Sequence, residues 1–233
     1  MPNFDIVKEV HPNNTFRVNS IINNFDLDVD HIHEHFTGDI AIEDLVWNVG
    51  LIVGSSGTGK STIAKECFGD SYIKGYEYTA QAVIDDMPKD KSIKDVEKAF
   101  TSVGFASPPS WLKPYSVLSN GEKMRVDLAR SILEDRDIVV FDEFTSVVNR
   151  EVAKTSSYAI SKAVRKQNKK FVAVACHRDI IDWLEPDWIY DTDEKRFFTA
   201  GESSTAPKST WKYTGLTTQL KSRYGKYSGS ITI

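Results

Sequence analysis

Two cysteines in 233 residues, Cys67 and Cys176, are too few and too far apart to staple a fold or to ligate a metal. A disulfide framework is excluded and a reduced, cytoplasmic setting is expected. Long hydrophobic runs are also missing. Stretches such as Phe171 to Cys176 suit buried strands and fall far short of the roughly 20 residues that a membrane-crossing helix needs. The opening MPNFDIVKEVHPNN lacks the charged-then-apolar pattern of a secretory leader. There is no internal repeat, and no large excess of one charge. A net charge of −4 argues against a protein that coats nucleic acid wholesale. The charge is unevenly placed, however. Residues 201–233 set Lys208, Lys212, Lys221, Arg223 and Lys226 against Glu202, a local +4 that leaves −8 for the first 200 residues.

With 40% hydrophobic residues the chain can bury one sizeable core. Between Phe16 and Ile42 apolar residues come in short bursts, Phe16, Val18 and Ile21, then Phe36, Ile40 and Ile42, which reads as strands with Asn and Asp turns. Trp47 to Val53 is a buried run that leads into a Gly/Ser loop and a helix. A strand is expected within 71–80 and a helix over 91–104, from Ile93, Val96, Ala99, Phe100 and Val103. Pro108, Pro109 and Pro114 interrupt before a long helix from about Ser119 to Glu134. Ile138–Phe141 and Phe171–Cys176 are two further apolar runs, with a helix over about 150–166 between them. Apolar runs alternating with helices predict an α/β fold whose mostly parallel sheet is covered on both faces. The domain is expected over 1–200, followed by a basic tail at 201–233 rich in Ser, Thr and Tyr.

Residues 54–62 read GSSGTGKST and satisfy GxxxxGK[ST] from Gly54 to Ser61, with a strand before and a helix after. Gly54, Gly57 and Gly59 let the backbone curl so that the amides of Ser55, Ser56, Thr58 and their neighbours face an anion, and the next helix, starting near Lys60, Ser61 and Thr62, adds its positive end. In such a loop Lys60 reaches the β- and γ-phosphates of ATP and the Ser61 hydroxyl ligates Mg²⁺.

Asp142 and Glu143 follow Ile138–Phe141, where a buried strand emerges and where open α/β sheets bind ligands. Asp142 is the natural second holder of Mg²⁺. Glu143 points differently and is suited to polarise the attacking water. A polar strand terminus facing solvent would look the same in isolation, and the phosphate loop upstream decides between the two readings.

Residues 118–133, LSNGEKMRVDLARSIL, resemble the signature motif of ABC ATPases, usually written LSGGQ, and the RVxLAR helix that follows it. Leu118, Ser119 and Gly121 match, as do Arg125, Val126, Leu128, Ala129 and Arg130, while Asn120 and Glu122 depart from the commonest residues. Ser119-x-x-Glu122 is also a capping box, and a capped helix start aimed at a phosphate satisfies both readings. A signature ending in Glu is more similar to the DNA-repair and chromosome-organising branch of that family than to most transporters. The resemblance covers roughly residues 16–195. It implies a P-loop NTPase of ABC type, with a small N-terminal antiparallel β part and a short helical subdomain. The 82 positions from Lys60 to Asp142 make a shorter span than in typical transporter subunits.

Further roles follow from the resemblance. His177 matches the switch histidine that contacts the γ-phosphate, and Ser119, Gly121 and Glu122 would meet the nucleotide of a second subunit. TSVVNR at 145–150 aligns with a loop usually written TSALDP, with Asn149 in place of its Asp. Gln81 is the candidate for the glutamine that senses Mg²⁺ and water, with Asp85 and Asp86 as neighbours of similar chemistry. An aromatic residue should stack on adenine; Phe16, Phe25 and Phe36 all qualify, and Phe25 is the first choice. The implied protein is an Mg-dependent ATPase that closes as a head-to-tail homodimer on ATP and has no membrane segment of its own.

His31, His33 and His35 alternate and would share one face of a strand, but no Cys or further His stands nearby in sequence, the segment is acidic, and a solvated edge is expected. The tail interleaves Trp211, Tyr213, Tyr224 and Tyr227 with its basic residues, which suits DNA or RNA contact and equally a solvated terminus. Glu122, the shortened subdomain and this tail favour a nucleic-acid process. The compact form resembles small stand-alone ABC ATPases of phages and mobile elements. A subunit of a membrane transporter, and an energy-coupling protein partner in a modification or defence complex, are the other two readings.

Overall fold

A computed structural model describes residues 3–9, 13–27, 33–73 and 75–199. The basic tail and His31 lie outside the described residues.

The core is a six-stranded sheet in the order β4-β5-β6-β3-β7-β8: β4 (Tyr72–Ile73), β5 (Ile138–Phe141), β6 (Lys170–Ala175), β3 (Val49–Val53), β7 (Trp188–Asp191) and β8 (Arg196–Thr199). Each pair from β4 through β7 is parallel. β3 sits between β6 and β7 and all five of its residues are buried, so its apolar run serves both faces of the sheet. Parallel strands joined by helices point the same way. The residues that follow β3, β5, β6 and β7 therefore come out along one edge of the sheet.

Helix α2 (Lys60–Phe68) leaves β3 through the phosphate loop, and α6 (Arg150–Lys166) carries the chain from β5 back to β6. A helical lobe lies between β4 and β5 in sequence. It holds α3 (Ile93–Ser102), α4 (Pro108–Trp111, with proline at its start) and α5 (Asn120–Leu133). Amphipathic α3 turns Val96, Ala99 and Phe100 inward, and Phe100 meets Phe105 edge to face and Trp111 at a tilt, at ring distances of 5.1 and 5.5 Å. The Trp111 indole donates to the Phe105 carbonyl at 2.8 Å, closing the lobe with a satisfied polar group. A four-residue α7 (Ile181–Leu184) precedes β7.

β1 (Asn3–Glu9) and β2 (His33–Asp39) form a separate antiparallel pair, with Ile6 opposite Phe36. The chain between them corrects the expected strand at Phe16 to Ile21. Residues Phe16–Phe25 are a helix, α1, started by the Thr15 side chain accepting from the Val18 amide. Val18, Ile21, Ile22 and Phe25 repeat at helical spacing, and that period outweighs the β preference of the individual residues. The strand expected in 71–80 shrinks to Tyr72–Ile73, because Asp86 accepts from the amides of Thr79 and Ala80 and folds that segment into a turn instead. On β2, His35 pairs with Asp5 of β1. Among the described residues no group of three or more His, Cys, Asp or Glu side chains could hold a metal.

Candidate functional site

The phosphate loop occupies the turn from β3 into α2. Gly57 and Gly59 have φ of +85° and +80°, where a side chain would be strained. At Gly59 a Cβ would also stand 2.4 Å from the Phe36 ring, so this glycine lets an aromatic residue of β2 lie against the loop. Gly59 caps α2 without any side-chain hydrogen bond, leaving the first-turn amides free of a competing acceptor. Lys60 Nζ donates to the Ser55 carbonyl at 2.6 Å, and Thr58 Oγ1 bonds the same carbonyl at 2.8 Å. Ser55 and Ser56 are exposed, and Ser61 and Thr62 half-buried.

The loop is braced from β7. Thr192 Oγ1 meets Thr58 Oγ1 at 2.6 Å, and Asp193 accepts from the Ser55 amide and hydroxyl. Arg178 bridges the buried Asp191 and the more exposed Asp193, linking the residue after His177 to the loop. Burial raises the Asp193 carboxyl, but the Ser55 amide and Arg178 outweigh it and hold its pKa below the ordinary value. Sequence reasoning did not single these residues out. The signal was available: Asp191 to Asp193 follow an apolar run, as Asp142 and Glu143 do.

At the end of β5, Asp142 Oδ1 accepts from the Glu143 amide at 2.9 Å. Glu143 adopts φ +51° and Thr145 φ +66°, so the chain turns sharply and leaves Glu143 exposed. Non-glycine residues rarely hold such angles, and clusters of them mark sites where orientation matters. Tyr72 of β4 donates its hydroxyl to Asp142 Oδ2, and Ser61 lies near the same phenol. Ser61 and Asp142, distant in sequence, thus come together around one phenol. Burial, then the hydrogen bond to Asp142, pushes the Tyr72 pKa above its usual value. A hydroxyl beside a carboxylate is a hard oxygen donor set that suits Mg²⁺, which takes few protein ligands and completes its shell with phosphate and water.

A cleft of about 200 Å³ opens beside this pair, lined by Gly75, Tyr76, Lys123, Asp127, Asp142 and Glu143. Gln81 is exposed and lies further along, next to the turn that Asp86 folds. The segment is fastened to α5 instead by Tyr78 and Tyr115, which stack at 3.9 Å and each donate to one oxygen of Asp127. Burial raises the Asp127 pKa against those two hydrogen bonds.

The signature helix α5 begins at Ser119 with a complete capping box. The Glu122 amide donates to Ser119 Oγ at 3.3 Å, and the Ser119 amide and hydroxyl donate to Glu122 Oε2 at 2.9 and 2.8 Å. Ser110 holds the other Glu122 oxygen at 2.9 Å. The Ser119 amide, then its hydroxyl, keep the Glu122 pKa below its ordinary value. Its charge is therefore spent on the helix start. Gly121 packs beside Val152 of α6, and the Asn120 side chain reaches the Val147 carbonyl. Asn149 caps α6 by accepting from the Val152 amide at 2.9 Å, so the Asp-to-Asn departure keeps the cap. Arg150 then pairs with Asp179, two residues past His177, whose Nδ1 lies 3.0 Å from Cys176 Sγ.

Of the three aromatic residues proposed for adenine, Phe16 and Phe25 are 87% and 68% exposed on α1. Phe36 instead lines a cavity of about 310 Å³ with Thr58, Tyr190, Thr192, Asp193 and Lys195. The first choice, Phe25, is on a helix with no buried residue, whereas Phe36 lies against the phosphate loop.

A phosphate loop, a strand-end carboxylate and a parallel sheet with ligand groups on one edge define a P-loop nucleoside triphosphatase. The signature helix and the comparisons liken this chain more narrowly to the ATP-binding cassettes of ABC ATPases, enzymes that use ATP with Mg²⁺. No protein-family profile matches it. A probable metal transport system ATP-binding protein of Thermotoga maritima is 30% identical over 151 residues, covering 54% of this chain and 62% of that protein. The mRNA export factor elf1 of Schizosaccharomyces pombe is 31% identical over 119 residues, 41% of this chain and 11% of that protein. Both matches span less than two thirds of the relative's own length. The ATP-binding cassette MJ0796, solved as a dimer in a post-hydrolysis state with ADP and Pi, superposes with a TM-score of 0.57 at 12% identity. That match covers 72% of this chain and 92% of MJ0796 and establishes the shared fold.

Proposed function

We propose that this chain hydrolyses Mg-ATP in a head-to-tail homodimer and couples the opening and closing of that dimer to a process on nucleic acid. The observation that carries the catalytic part is the convergence of Ser61 and Asp142 around Tyr72, beside an exposed Glu143 in a left-handed turn. In this reading Lys60 and the loop amides hold the phosphates, Ser61 and Asp142 hold Mg²⁺, and Phe36 faces the adenine. Glu143 polarises the attacking water and His177 contacts the γ-phosphate. Gln81 is assigned to sensing the metal and its water. Ser119, exposed at the start of α5, belongs with Gly121 and Glu122 to the nucleotide bound by the opposite subunit, so neither subunit alone has a complete site. Bound Mg²⁺ supplies charge neutralisation along the phosphates.

The nucleic-acid reading rests on the short helical lobe, the Glu-ending signature, the basic aromatic tail and a relative named for mRNA export. A second reading, the ATP-binding subunit of a membrane transporter, is supported by the Thermotoga relative named for metal transport. No helix of the described residues is long and apolar enough to cross a membrane, so that reading requires a separate membrane partner.

Steady-state ATP turnover, measured with and without single-stranded and duplex DNA and with RNA across a salt series, separates the two. Stimulation that fades as salt rises is expected, because phosphate contacts release counterions. Turnover indifferent to every polyanion would count against the nucleic-acid reading and favour a protein partner.

A further inference from the structure

β4 is two residues long, yet it puts one side chain between the phosphate loop and the strand-end carboxylate. In the parallel register Tyr72 stands opposite Val140, two residues before Asp142. Its hydroxyl donates to Asp142 Oδ2, and Ser61 at the start of α2 lies near the same phenol. The other Asp142 oxygen is occupied by the Glu143 amide at 2.9 Å. Both oxygens are therefore anchored, one by the backbone of the catalytic turn and one by β4, and each keeps a lone pair for a further partner. The ring is held in turn by α2, with Lys65 Nζ 5.0 Å above it. A phenol on a strand is a stiff arm: two side-chain torsions fix where the hydroxyl lies. Partners that hydrogen-bond and orient a metal-binding carboxylate matter to metal affinity, and losing one typically costs about 10–100-fold.

We propose that Tyr72 is a positioning residue for the metal pair: its hydroxyl fixes the Asp142 carboxylate toward Ser61 and thereby sets how much Mg²⁺ nucleotide binding requires. This inference rests on the assignment of Ser61 and Asp142 to Mg²⁺. Tyr72 need not touch nucleotide. Its effect passes through Asp142, and replacing it by Phe keeps the ring beneath Lys65 while removing the one atom that matters.

The test titrates Mg²⁺ into the full-length protein with a fluorescent ATP analogue, for wild type, Tyr72→Phe and Asp142→Asn, and repeats the nucleotide titration in EDTA. Tyr72→Phe should raise the Mg²⁺ concentration at half-saturation by roughly tenfold, at the lower end of the usual range for such partners. Its affinity in EDTA and its melting temperature without nucleotide should stay within about twofold and about 2 °C of wild type, the range of a mild surface change. A general packing role would weaken binding equally with and without metal and would overturn the proposal. So would an unchanged or lowered Mg²⁺ midpoint in Tyr72→Phe beside a raised one in Asp142→Asn. If wild type shows no Mg²⁺ dependence and Asp142→Asn matches it, the metal assignment itself fails and the role of Tyr72 falls with it.

Discussion

The starts of α2 and α5 present the same chemistry, a row of backbone amides at a helix N-terminus, and treat it in opposite ways. α2 is capped by Gly59 with no side-chain acceptor, and Lys60 stands at its first position. α5 is closed by Ser119 and Glu122 in a reciprocal capping box, with Ser110 tying down the spare carboxylate oxygen. An open terminus is unsatisfied until an anion arrives; a self-capped terminus is stable alone and must exchange a partner to accept one. The difference supports the proposal that α2 takes the chain's own nucleotide. It makes α5 a helix that is finished within the subunit and offers Ser119 outward.

The strongest way to break the contrast is at α2. Lys60→Ala removes the cation from the open terminus, and binding of a fluorescent ATP analogue should fall by about 100-fold or more, since Lys reaches the β- and γ-phosphates. Tight binding retained in that variant would mean that the amides of α2 are not the phosphate site. A smaller effect is expected at α5. Glu122→Ala removes the carboxylate half of the capping box, leaves Ser119 to cap the residue-122 amide, and should lower unfolding stability by about 1 kcal/mol, a melting shift of roughly 2–4 °C in a chain of this size. The pH dependence gives the sign. The Glu122 pKa is depressed in the folded state below its ordinary 4.5, so its contribution is complete above that value and is lost as pH falls through the folded pKa. The stability gap between wild type and Glu122→Ala should therefore narrow on acidification below pH 4.5, and a gap that widens there would refute the capping assignment.

The parts of the molecule that were legible in the sequence are those where one local pattern settles the structure. Helix α5 runs from Asn120 to Leu133 with Ser119 as its cap, and α6 from Arg150 to Lys166, because cap, period and charge agree in each. β3, β5 and β6 are continuous apolar runs and came out in place. α1 did not, because Phe, Val and Ile invite a strand reading while their spacing at 18, 21, 22 and 25 is helical. β1, β7 and β8 also went unread. β7 ends in an Asp whose burial depends on Arg178, a pairing that only the fold reveals. The same limit applies at the site. GSSGTGKST and the Asp142–Glu143 pair are contiguous and readable, whereas Tyr72 and Asp193 act on residues far away in sequence and are recognisable only once the sheet is assembled, and Phe36, one of three candidates in the sequence, is set apart from Phe16 and Phe25 only by its place against the loop.

The central claim, that two chains close on ATP with the signature helix of each completing the other's site, is tested most directly with Glu143→Gln, which should keep ATP bound while hydrolysis falls by roughly 10²–10⁴-fold. Light scattering of this variant at saturating Mg-ATP should report a dimer that reverts to a monomer with ADP. A molecule that stays monomeric with Mg-ATP bound would contradict the account.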